Sequence, residues 1–153
     1  MSWNGADLFA TGGLGSLPPG FSASGRTSQV FEDFPVAAAV REGGLHVHFA
    51  AAALQRVPES MAALSGAERA LAVLYAGVAD TYVLEAADAG RTSRLLVLSE
   101  GEVVVDEGAP SPHEAAPRED VEEWLFGLVE QLTDVAVPAL HGVAETWAEL
   151  RTG

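Results

Sequence analysis

Two histidines separated by a single residue, His46 and His48, are the part of this sequence best suited to chemistry. They lie in residues 45–49, where apolar and polar residues alternate as in a β-strand with one buried face. Because successive side chains of a strand point to opposite faces, both imidazoles would share one face, about 7 Å apart. Two imidazoles placed in this way can bind one divalent metal ion when a third ligand comes from elsewhere in the chain.

Candidates for the third ligand of such a metal site are His113, His141, Glu42 and Glu85. A His-x-His pair also begins the metal motif of cupins, but that motif needs a Glu soon after the second His, and residues 49–53 are Phe and four Ala. The sequence therefore does not fit a cupin. Two interpretations of His46 and His48 stay open: a metal or ligand site, or two histidines on the solvent-facing or partner-facing side of a strand. In the second case no cofactor is needed.

Missing residue types exclude several kinds of catalysis. The chain has no Cys, and its eight basic residues are all Arg. Without Cys there is no disulfide, no thiolate metal site and no thiol nucleophile, and without Lys there is no Schiff base and no phosphate-loop ammonium group. The Gly-x-Ser-x-Gly pattern of a hydrolase elbow is also absent. These absences favour a protein without enzymatic activity, and the sequence identifies no catalytic residue.

The charge is strongly negative and unevenly distributed. The net charge is −14, with three Arg and five acids up to Ser65 but five Arg and 17 acids from Gly66 onward. Such a surface repels nucleic acid and anionic lipid, so we expect neither as a ligand, whereas a basic protein partner would be attracted. The densest acidic cluster opens a predicted helix and supplies four predicted partner-binding residues, Glu119, Asp120, Glu122 and Glu123.

The first 30 residues have the composition of a loop or arm. They contain six Gly, the pair Pro18-Pro19 and only two charged residues, Asp7 and Arg26. Trp3 is an aromatic side chain in this region, and we expect it to anchor in a partner or a neighbouring subunit. The predicted organisation is therefore an N-terminal arm over 1–30 and one domain over 31–153.

The remaining patterns predict an α+β fold. Residues 36–49 favour a hairpin, the capping box at 65–68 predicts a helix to about Ala79, and residues 81–106 favour a three-stranded meander. Within the meander, residues 95–98 are apolar on both faces, so this strand is either covered on both sides or meets a partner. Two C-terminal helices are predicted, the first ending or kinking near Thr133 before Pro138, and the second carrying Leu140, Val143, Trp147 and Leu150.

The predicted fold is thus an antiparallel sheet of about five strands with an intervening helix and two C-terminal helices. This element order is similar to that of roadblock-type adaptors, and the size and low pI are similar to those of small acidic chaperones of secretion systems. No stretch is long and apolar enough to span a membrane, and no secretory signal is visible, so the expected location is cytoplasmic.

Three functions are compatible with these patterns. The first is a non-enzymatic acidic protein-binding module of adaptor, chaperone or immunity type, expected to form a homodimer or other homo-oligomer. The second is a small enzyme or ligand-binding protein that uses His46 and His48, with or without a divalent metal. The third is a structural subunit whose N-terminal arm docks on a neighbour.

Overall fold

A single antiparallel sheet of nine strands dominates the structure. The structure, a computed structural model, describes residues 3–41, 44–115, 118–135, 137 and 146–152. The strands, in chain order, are β1 (Asn4–Thr11), β2 (Phe21–Ser28), β3 (Val36–Arg41), β4 (Gly44–Ala50), β5 (Arg69–Ala76), β6 (Thr81–Asp88), β7 (Arg91–Ser99), β8 (Glu102–Gly108) and β9 (Trp147–Thr152). They lie side by side in the order β2-β9-β3-β4-β1-β5-β6-β7-β8. The N-terminal strand β1 is therefore at the centre of the sheet, and β8 forms one edge.

Helices are few among the described residues. They are α1 (Met61–Leu64) and α2 (Val121–Thr133), with 3₁₀ turns at Gly13–Ser16, Phe31–Asp33, Ala51–Arg56, Gly77–Ala79 and Pro112–Ala115. Helix α2 begins where the Asp120 carboxylate accepts a hydrogen bond from the backbone N–H of Glu123 at 3.1 Å, which satisfies one of the free amides of the first turn. In the described part of the chain, no helix is long and apolar enough to cross a membrane.

The sheet buries one core on each face. Helix α2 packs through Leu125 and Val129 on one face, which we call the α2 face. The opposite face, which we call the α1 face, packs against the 3₁₀ turn Ala51–Arg56 and α1, where Ala53 and Met61 are buried. A central strand that is covered on both sides has apolar residues at nearly every position, and the sequence of β5 shows this pattern.

The predicted five-stranded α+β fold is wrong, and so is the element order that resembled roadblock-type adaptors. The predicted helix from Gly66 is instead β5, paired with β1 and β6. Residues 70–76 are apolar at almost every position, so both helical and strand periodicities fit them, and pairing on both sides favours the strand. The Ser65 hydroxyl closes the end of α1 by donating to the Ala62 carbonyl at 2.7 Å rather than opening a helix.

The two ends of the chain also differ from expectation. Residues 4–11 and 21–28, whose composition predicted loop or arm, form β1 and β2. Trp147 and Leu150, predicted on a helix, lie on β9 between β2 and β3. Their separation of three places them on opposite faces of the strand, in the two different cores. Leu140 and Val143 lie outside the described residues.

Other local predictions are confirmed. The hairpin is β3–β4, with Leu45, Val47 and Phe49 in one core and His46 and His48 on the opposite face. The meander is β6–β7–β8, and α2 ends at Thr133. These elements depend on short-range signals, namely turns, alternation and a helix cap.

Candidate functional site

A buried carboxylate, Asp7, lies at the centre of the α2 face. Its strand, β1, lies between β4 and β5, and Asp7 is directly opposite His48 on one side and Val73 on the other. Asp7 Oδ1 is 2.6 Å from His46 Nε2 and 2.9 Å from His48 Nδ1. The Tyr75 hydroxyl donates to Asp7 Oδ2 at 2.6 Å. A side chain with no solvent exposure thus gathers three hydrogen-bonding groups from two neighbouring strands.

Gly5 makes room for this cluster. It precedes Asp7 by two residues, so it lies on the same face of β1, and it pairs with Tyr75 in the sheet. A Cβ at this position would lie 2.9 Å from the Tyr75 hydroxyl oxygen and 3.0 Å from the Phe49 carbonyl oxygen. A larger residue would therefore displace the phenol that binds Asp7.

The Asp7 carboxylate is ionised within this cluster. Burial alone would raise its pKa. The attraction of His48 and the hydrogen bonds from His46 and His48 lower the pKa by more than burial raises it, so the pKa lies well below the ordinary 3.8. Tyr75 shows the opposite shift, since burial first and the nearby Asp7 charge second raise its pKa well above 10.0. Tyr75 therefore stays a neutral donor to a charged acceptor.

His46 is enclosed by aromatic rings. Its imidazole stacks on Phe9 with ring centroids 4.4 Å apart and meets Trp147 edge-on at 5.3 Å, leaving it 2% exposed. Because Nε2 faces an ionised carboxylate, Nε2 carries the hydrogen and Nδ1 is the unprotonated nitrogen. Nδ1 is buried and has no hydrogen-bond partner among the described residues.

His48 differs from His46 because it borders a cavity. Its side chain is 12% exposed, and its ring meets Phe31 edge-on with centroids 5.0 Å apart. The cavity beside it has a volume of about 170 Å³, and its walls include Trp3, Phe31, Tyr75 and Val137. Since Nδ1–H of His48 donates to Asp7, the nitrogen left for a ligand is Nε2, an acceptor in the neutral ring.

The expected metal site gains no support from this geometry. His46 Nε2 and His48 Nδ1 both bind the same carboxylate oxygen, and no group of three or more His, Asp or Glu side chains in the described ranges is placed to hold a metal ion. Among the proposed third ligands, Glu85 lies on the α1 face and His113 is exposed in the turn Pro112–Ala115, while Glu42 and His141 lie outside the described residues.

Glu85 is a second buried carboxylate, on the α1 face. Its Oε1 accepts a hydrogen bond from the backbone N–H of Ala62 at 2.9 Å, and its Oε2 accepts from the Thr92 hydroxyl at 3.0 Å. Ala62 is in the first turn of α1, whose own N-cap residue, Ser60, makes no side-chain cap. Glu85 thus fixes α1 to the sheet by satisfying its free amides from a distant strand.

Next to Glu85, the α1 face is left uncovered. Leu95 and Val97 of β7 are only half-buried there, whereas Leu96 and Leu98 on the α2 face are 2% and 3% exposed. Leu74 and Val83 continue this apolar surface on β5 and β6. Together with residues 57–61 these side chains line a groove of about 570 Å³, which we call the β7 groove.

The four predicted acidic partner-binding residues have different roles. Asp120 caps α2, and Glu122 Oε2 accepts from the Trp3 backbone N–H at 3.0 Å and from the Tyr82 hydroxyl at 3.4 Å. Glu119, just before α2, and Glu123, in its first turn, are exposed. Trp3 packs edge-on against Phe126 of α2 with centroids 6.3 Å apart, so its ring lies against its own chain.

The sequence patterns did not point to Asp7 or Tyr75, whereas the apolar run at 95–98 did allow for a strand that meets a partner. The signal for Asp7 was present, since it is the only charged residue in 1–25 and lies among Ala6, Leu8 and Phe9. The Gly-rich surroundings hid this strand. Tyr75 appeared to belong to a helical stripe, which concealed its place opposite Gly5.

Comparison with protein-family models, with curated proteins and with solved structures finds no match to this chain.

Proposed function

We propose that this protein is a non-enzymatic binding module that receives an apolar, basic segment of a partner protein in the β7 groove. The observation that carries the proposal is the unequal burial of one strand, since the side chains of β7 that face α2 are covered and those that face the groove are not. A half-exposed run of Leu and Val across several neighbouring strands is the kind of surface that protein partners cover.

The charge around the groove supports a basic partner. Its described lining contains three acids, Glu59, Glu85 and Glu107, and no Arg or His. Glu85 is held by α1 and Thr92, so Glu59 and Glu107, both exposed, are the carboxylates available to a partner. A second copy of this chain would bring another net charge of −14 to this face, which disfavours self-association there.

The adjacent edge of the sheet supports an extended segment. Strand β8 is last in the sheet order, so its outer N–H and C=O groups have no strand beside them among the residues that the structure describes. It carries Val103 and Val104 in exposed positions, and β-branched residues suit strand pairing. A partner strand could pair with β8 and place alternate apolar side chains over the groove.

Two short peptides test this proposal, one of alternating Lys and Val and one of alternating Glu and Val. We expect the wild-type protein to bind the Lys peptide, with affinity falling as salt is added, and to bind the Glu peptide at least about tenfold more weakly. Fluorescence anisotropy of labelled peptides measures both affinities.

Variants locate the binding surface. Val97→Lys puts a cation in the groove and should weaken binding of the Lys peptide by about tenfold or more. Val78→Lys is the matched control, because Val78 is 82% exposed in the turn Gly77–Ala79 outside the groove, and it should change affinity by less than about twofold. Equal binding of both peptides, or unchanged binding by Val97→Lys, would contradict the proposal. A wild-type dimer that Val97→Lys converts to a monomer would instead assign the groove to a second copy.

A further inference from the structure

We infer that the cavity beside His48 is a binding site for a small cyclic molecule carrying one hydroxyl or N–H donor, of the size and chemistry of phenol. This site lies on the α2 face and is separate from the proposed partner groove. The inference joins three observations: an oriented imidazole, an aromatic wall and a cavity of ring size.

The imidazole is oriented by the carboxylate behind it. Asp7 binds Nδ1 of His48 and is itself held by His46 and Tyr75, so the ring of His48 is fixed in one direction. Its Nε2 accepts no hydrogen bond within the described part of the chain, and the half-buried side chain borders the cavity. A buried Asp that holds His in this way is the arrangement by which proteins present Nε2 as a proton acceptor.

The walls of the cavity favour a ring-shaped ligand. The rings of Trp3, Phe31 and Tyr75 line the cavity together with Asn4, Ala50, Ala51 and Val137. Aromatic rings pack favourably against one another edge-on or offset. The rings of Trp3 and Tyr75 are held by contacts to Phe126, and the ring of Phe31 is held by a contact to His48. The ligand site is therefore largely formed in advance.

The volume matches a ligand of about one ring. A cavity of about 150 Å³ in another protein is known to hold benzene, and the cavity here measures about 170 Å³. The charge next to the cavity limits it further, because Asp7 is ionised and would repel a carboxylate or phosphate. A neutral ring with one donor satisfies both limits.

Phenol and toluene are the probes, because they match in size and only phenol carries a donor. We expect phenol to bind wild-type protein at neutral pH with a dissociation constant of roughly millimolar order, and to shift the ¹⁵N resonance of His48 Nε2. Toluene should leave that resonance in place. Identical responses to phenol and toluene, or no binding of phenol, would overturn the inference.

Two variants test the Nε2 acceptor of His48 and the aromatic wall of the cavity independently. His48→Phe retains a ring against Phe31 but removes Nε2, so phenol should bind about tenfold or more weakly while toluene changes by less than about threefold. Trp3→Ala leaves the Asp7 hydrogen bonds in place and should weaken both probes. His48→Phe also removes a partner of Asp7, so if this variant fails to fold, Trp3→Ala and the ¹⁵N shift decide the matter without it. Undiminished phenol binding by Trp3→Ala would count against the site.

The same experiment distinguishes this site from the β7 groove. Val97→Lys alters the groove on the α1 face and should leave the affinity for phenol unchanged, while Trp3→Ala should leave the affinity for the Lys peptide unchanged. Loss of phenol binding in Val97→Lys protein that remains folded would contradict a separate site beside His48.

Discussion

The two faces of the sheet each bury one carboxylate, but they do so with different partners. On the α2 face Asp7 is bound by two imidazoles and a phenol, while on the α1 face Glu85 is bound by backbone amides and a hydroxyl. The first set consists of side chains from the two strands beside β1, and the second consists of the first turn of a short helix and one hydroxyl. Asp7 therefore organises a cluster of side chains, whereas Glu85 holds a helix in place.

The largest effect should come from removing the Asp7 carboxylate. Asp7→Ala leaves three buried donors without an acceptor, so we expect a loss of about 3–5 kcal/mol in the free energy of unfolding. Urea unfolding at neutral pH measures this loss. Asp88→Ala, which removes an exposed carboxylate from β6, is the control and should cost less than about 0.5 kcal/mol. Comparable losses from the two variants would show that the cluster does not stabilise the α2 face.

The next prediction concerns the two faces of strand β7. Leu96→Ala removes a side chain buried under α2 and should cost about 3 kcal/mol, while Leu95→Ala on the groove side should cost about 1 kcal/mol. The same urea experiment applies to both variants. If Leu95→Ala were as costly as Leu96→Ala, the groove side of β7 would have to be covered in solution, for example by a second copy of the chain.

The contribution of Asp7 to stability should depend on pH and should be lost in strong acid. Its pKa is lower in the folded state than the unfolded value of 3.8, so its contribution is present above pH 3.8 and is lost as pH falls through the lower folded value. Asp7→Asn keeps the shape but not the charge and should cost about 2 kcal/mol at neutral pH. The difference between wild type and Asp7→Asn in urea unfolding should shrink below pH 3.8. A constant difference down to strong acid would mean that the charge of Asp7 is not the source of stability.

The smallest effect belongs to Glu85. Glu85→Ala removes the acceptor for the first turn of α1 and should cost about 1 kcal/mol, the usual value of a helix cap. Amide hydrogen exchange at Ala62 and Ala63 should increase in this variant while exchange in α2 stays unchanged. Glu107→Ala, an exposed carboxylate at the same groove, provides the control. Slow exchange that persists in α1 would show that Glu85 does not hold this helix.

The hairpin and α2 show which elements short-range sequence patterns can predict. Alternation in residues 45–49 correctly placed His46 and His48 on one face, and the acidic run at 118–123 correctly indicated the beginning of α2. The periodicity prediction at Gly66 was wrong, because an apolar run of this length satisfies both periods. The composition of 1–30 also wrongly suggested a loop at 4–11, a segment with one glycine, Gly5, that pairs with β4 and β5.

Composition and short-range patterns were sufficient for the absence of Cys and Lys chemistry, the acidic charge, the shared face of the two histidines and the start of α2. Long-range contacts were needed to bring Asp7 beside His46, 39 positions along the chain, and Tyr75, 68 positions along the chain, and to leave one face of β7 open. The physical reason is that strand pairing and coverage of a sheet are set by total burial over the whole chain. A residue's immediate neighbours do not specify which distant strand will lie beside it.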